Sequence, residues 1–61
     1  MTREQARKEA QQIATTQGVR MALLFERYAD VENPESERFN YCPLQAAHIL
    51  SLSEVVETLE P

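Results

Sequence analysis

A chain of 61 residues with one cysteine, Cys42, and one histidine, His48, has few ways to hold itself together. A domain this short buries only about 60% of the surface its unfolded chain exposes. Its single core supplies roughly 3–5 kcal/mol of net stability. One cysteine excludes an internal disulfide, and Cys42 with His48 cannot complete a four-ligand zinc site. The staple that remains is a second subunit, so a homodimer is expected. With 43% hydrophobic and 26% charged residues, the composition is that of a folding chain.

Charge narrows the partners. The formal net charge is −4, and it is unevenly spread. Residues 1–30 carry five basic and four acidic side chains, whereas residues 31–61 carry one basic and six acidic. An acidic chain is a poor non-specific ligand for nucleic acid or anionic membranes. The polar N-terminal residues do not read as a secretory signal. The longest apolar run, Met21 to Phe25, is too short to span a bilayer. With an unpaired thiol, the expected compartment is the cytoplasm.

Hydrophobic spacing predicts an all-α chain: a long N-terminal helix followed by two short ones, in a dimeric helical bundle. The whole of residues 1–61 is read as one small helical domain. Residues 2–29 form the first helix, opened by the capping-box pair Thr2 and Gln5. At 100° per residue, Ala6, Ala10, Ile13, Ala14, Met21, Leu24, Phe25 and Tyr28 share one stripe. Gly18, the only glycine, then falls inside the helix, as a surface residue, a close-approach point or a kink. Val19 and Leu23 lie off the stripe, as exposed apolar residues or as a subunit or partner contact. Residues 30–42 are an acidic connector with a turn at Asn33-Pro34. Short helices are expected over 43–50, with Pro43 in the first turn, and over 52–60, capped by Ser51 or Ser53.

Residues 45–59, with Ala46, Ala47, Ile49, Leu50, Leu52, Ser53, Val56 and Leu59, resemble the helix-turn-helix segment of excisionase-like and MerR-like DNA-binding domains. That resemblance implies two crossed helices, the second entering the major groove from Ser53 onwards. The chain departs from the pattern at Ser51, where the family's turn usually has glycine. It departs again at Glu54, Val55, Glu57 and Thr58, where the family often carries arginine, lysine or threonine.

Chemistry is sparse. Cys42 and His48 invite a nucleophile–base reading, but no third orienting group or oxyanion donor accompanies them. The acidic pairs Glu35/Glu37 and Glu54/Glu57 lack the Asp/Asn/Gly context of a calcium loop. One glycine cannot build a phosphate loop. No enzyme activity, metal, cofactor or catalytic residue is expected. The expected function is a small protein-binding adaptor or modulator, of the kind found among accessory regulators of phages and other mobile elements. The alternative is a small helix-turn-helix transcriptional regulator or antitoxin-like protein. Its partners are expected to be itself and another protein, with DNA binding unlikely. The candidate partner or dimer surface comprises Val19, Leu23, Glu54, Glu57 and Glu60. The three glutamates, at three-residue spacing, would form an acidic face on the last helix.

Overall fold

Gly18 is where the first helix ends. In the structure, a computed structural model that describes residues 1–27, 34–49 and 53–61, helix α1 spans Arg3–Gln17. Thr2 caps it as expected, its hydroxyl accepting from the Gln5 N–H at 3.2 Å. At the other end Gly18 turns left-handed, with φ +66°. The Ala14 carbonyl then accepts from both Gly18 and Val19 N–H groups. This is a glycine-terminated helix C-cap. A Cβ at Gly18 would meet nothing within 4 Å, so only the backbone resists a side chain there. Gly18→Ala is therefore expected to cost roughly 1–2 kcal/mol, read as a lower urea midpoint. Gly18→Asn should cost less, because asparagine tolerates this conformation.

Past the cap, the sequence that looked like more helix is strand. Strand β1 spans Met21–Glu26, β2 spans Phe39–Pro43 and β3 spans Ser53–Leu59. A single turn of 3₁₀ helix, Glu35–Glu37, precedes β2, and a four-residue helix α2, Leu44–Ala47, follows it. The strands form one antiparallel sheet in the order β2-β1-β3. The fold is α+β. The all-α helical bundle, the helix over 2–29 and the helix over 52–60 are all corrected by this sheet. The expected helix over 43–50 shrinks to α2, with Pro43 closing β2. Tyr28, Asn33, Leu50, Ser51 and Leu52 lie outside the described residues. Of the two candidate caps, Ser53 opens a strand instead.

The physical reason lies in β1. It is the central strand, paired on both sides, so both of its faces can be apolar. Met21, Ala22, Leu23 and Leu24 are all at most 3% exposed. Odd-numbered side chains face α1, where Ala10, Ala14, Met21 and Leu59 form a buried cluster flanked by Ile13 and Tyr41. Ala6, Ala10 and Ala14 are fully buried, and side chains this small bring the helix close to the sheet. Ala22 and Leu24 point to the opposite face. Leu24 and Phe25, assigned to one helical stripe, thus lie on opposite sides of a strand. Phe25 packs on Phe39, with ring centroids 5.3 Å apart and tilted by 57°. Arg3 sits over the Phe39 ring at 5.9 Å, within cation–π range.

The α1 stripe is covered by the chain's own sheet. A dimer built on the first helix loses its motive.

Candidate functional site

The five surface candidates fall in three different places. Leu23 is 0% exposed at the centre of β1, so it is a core residue and cannot meet a partner. Val19, 37% exposed, lies just past the Gly18 cap. Glu54, Glu57 and Glu60 do not form a helical face. They lie on or just beyond β3, and arginines from elsewhere in the chain reach each of them.

Arg7 Nε donates to both carboxylate oxygens of Glu57, at 3.2 and 3.0 Å, and Arg3 stands 3.9 Å from the same carboxylate. Arg20 pairs with Glu60 at 3.0 Å and Arg27 with Glu54 at 2.9 Å. The acidic face expected on the last helix is therefore corrected to a row of ion pairs along β3. Exposed pairs of this kind contribute only about 0–1 kcal/mol each. Their stronger effect is on recognition. A phosphate approaching Arg7, Arg20 or Arg27 must displace a carboxylate, and a basic surface approaching the glutamates must displace an arginine. The recognition helix that the helix-turn-helix resemblance implies would start at Ser53, where the structure begins β3 instead.

Next to Val19 lies an open groove of about 790 Å³, between the C-terminal half of α1 and the β2–α2 corner. Ile13, Val19, Met21, Tyr41, Pro43 and Leu44 supply its apolar walls, and Gln17, Arg20 and Gln45 its polar rim. Of these residues, Val19 is the one that the sequence marks as a candidate contact. The others converge because an antiparallel turn of the chain brings β2 beside α1, which no local pattern announces.

Cys42 also borders this groove. Burial pushes its thiol pKa up, which keeps it protonated at neutral pH and a weak nucleophile. His48 is exposed at the end of α2. Alkylation of Cys42 at pH 8 is accordingly expected to run several-fold slower than that of a free thiol, speeding up as pH rises beyond the ordinary thiol range. A rate matching a small-molecule thiol in a stopped assay would contradict this burial. Among the described residues, no group of three or more His, Cys, Asp or Glu side chains could hold a metal ion. No helix among them is long and apolar enough to cross a membrane.

The two edges of the sheet are unlike. The bonds from Leu44 N–H to Arg20 and from Glu26 N–H to Arg38 set the phase of the β1–β2 ladder. Phe39, Tyr41 and Pro43 consequently point their backbone groups outward. Each outward donor is disposed of. The Phe39 N–H donates to the Met1 carbonyl at 3.1 Å. The Tyr41 N–H donates to the Asn40 side chain at 2.9 Å. Pro43 has none to offer. These are recognised devices for keeping an edge strand from pairing. The same phase turns Ser53, Val55 and Thr58, the partners of Glu26, Leu24 and Ala22, outward on β3.

Comparison with protein-family models, with curated proteins and with solved structures found no match.

Proposed function

We propose that this chain is a small protein-binding adaptor or modulator, not an enzyme, and that it binds through the groove beside Val19. The observation that carries the reading is that groove: an apolar concavity with a polar rim, the anatomy of a protein-recognition surface. Its exposed lip is Val19, an apolar residue with no structural duty in the core.

The ion pairs support the same reading. They occupy Arg3, Arg7, Arg20 and Arg27, four of the five cations of residues 1–30, so the surface offers no basic stripe to a nucleic acid. The raised thiol pKa of Cys42 argues against nucleophilic chemistry in the groove.

Affinity capture of the tagged chain from a cell lysate, with and without nuclease, tests this. A bound protein is expected to survive nuclease treatment. It should be lost from Val19→Asp and kept by Gln12→Asp, which places the same charge on an exposed position of α1. Loss of the partner with nuclease, or equal capture by the two variants, would sink the proposal.

A further inference from the structure

We propose that β3 pairs antiparallel with β3 of a second copy of this chain, extending the three-stranded sheet across a two-fold axis. This goes beyond the groove reading and does not depend on it. The groove lies at the β2–α2 corner, on the far side of the sheet, and stays open in both copies.

The contrast between the edges carries the inference. Two like chains can join their sheets in two ways. A β3-to-β2 contact is head-to-tail, and repeated it grows an open filament. Met1, Asn40 and Pro43 block it by consuming or removing every outward donor of β2. A β3-to-β3 contact is isologous and closes after two chains. Ser53, Val55 and Thr58 leave that edge open.

The register follows from the bulge. Leu23 pairs with Glu57 and Leu24 with Val55, so β3 holds one extra residue, Val56. Outward groups thus recur at Ser53, Val55 and Thr58, not at every second residue. Two such strands stay in phase across the bulge when Val55 faces Thr58 of the second copy, and Thr58 faces its Val55. In that register Val56 lies opposite Glu57, Glu54 opposite Leu59 and Glu60 opposite Ser53. No glutamate meets a glutamate, and Glu54, Glu57 and Glu60 are each already held by an arginine. Val55, 43% exposed in the single chain, gains a β-branched cross-strand neighbour. Both helices come to lie on one side of the joined sheet.

Sedimentation equilibrium at tens of micromolar should return twice the chain mass of 7.0 kDa. Thr58→Pro removes one outward donor from each copy, two per dimer. It is expected to weaken dimerisation about tenfold or more while the circular-dichroism spectrum stays native. In wild type, the Val55 and Thr58 amides should gain protection from hydrogen exchange as concentration rises, whereas Tyr41 should not change. A wild-type monomer overturns the proposal, and so does a folded Thr58→Pro dimer of undiminished strength. If Thr58→Pro unfolds, exchange decides: concentration-dependent protection on β2 or α1 instead of β3 overturns it. Val19→Asp, which disables the groove, should leave the dimer intact.

Discussion

Replacing Leu23 by alanine is expected to leave most of the protein unfolded at room temperature. Leu23 is the largest fully buried side chain among the described residues. It sits on the helix-facing side of β1, with Tyr41 beside it on one strand and Glu57 on the other. Truncating a buried leucine costs about 2–5 kcal/mol, the spread depending on how far the site collapses. The rigid neighbours here, a two-sided ladder and a helix held close by alanines, leave little room to collapse. The total stability of a domain this size is roughly 3–5 kcal/mol, so the loss is comparable with the whole. Urea titrations followed by circular dichroism, at one fixed protein concentration because dimerisation would add to stability, provide the measurement. Val19→Ala, at an exposed position away from β3, is the control and should cost far less. A Leu23→Ala curve close to wild type would mean that β1 is not the centre of the sheet.

What the sequence discloses about this fold, and what it hides, can be traced to individual residues. The first four turns of α1 are plain: the Thr2 cap, and alanines at positions 6, 10 and 14 in helical phase, all of them buried. Sequence pattern and structure part at Gly18. A lone glycine followed by Val19 and a solid apolar run is a helix stop followed by a central strand. A run that is apolar on both faces, however, has no period and fits a buried helix equally well. Val19 and Leu23, which refuse to join the helical stripe, were the residues signalling that the helix had ended. On an uninterrupted helix, the same two residues take the form of a partner surface.

β3 is hidden by a different device. An unbroken strand alternates, and alternation would have exposed it. The bulge inserts Val56, so Glu54 and Glu57 share the helix-facing side although they are three residues apart. Three-residue spacing is also the signature of one helix face, and the sequence took that form. The ion pairs were equally out of reach. The partners Arg7 and Glu57 are 50 residues apart, and composition alone can say only that the two halves of the chain differ in charge. The groove shares this limit, since its walls come from α1, β1, β2 and α2 together. Local pattern could mark Val19 as an oddity but could not show what stood opposite.

The second large effect concerns the seam between α1 and the sheet. Ala10→Leu is expected to destabilise the protein by about 1–3 kcal/mol, whereas Gln12→Leu changes stability by less than about 0.5 kcal/mol. The two substitutions introduce the same side chain two residues apart on one helix. Leucine is an excellent helix former, only slightly behind alanine, so propensity predicts almost no cost at either position. Geometry predicts a large difference. Ala10 is fully buried in the cluster with Ala14, Met21 and Leu59, while Gln12 faces solvent. The extra methyl and methine carbons at position 10 must push the helix off the sheet or drive Met21 and Leu59 from their preferred rotamers. Lifting α1 would also stretch the Arg7–Glu57 pair and the Gln11 side-chain bond to the Glu60 carbonyl, now 2.7 Å. The loss at Ala10 should therefore exceed what local overpacking alone suggests, and β3 should loosen with the helix. Hydrogen exchange on the Ala10→Leu variant is expected to show faster opening at Glu57 and Leu59, bonded across β1–β3, than at Leu24 and Cys42, bonded across β1–β2. Uniform loss of protection along the whole sheet would instead place the strain in β1, and equal stability of the two leucine variants would show that this face of α1 is not the buried one.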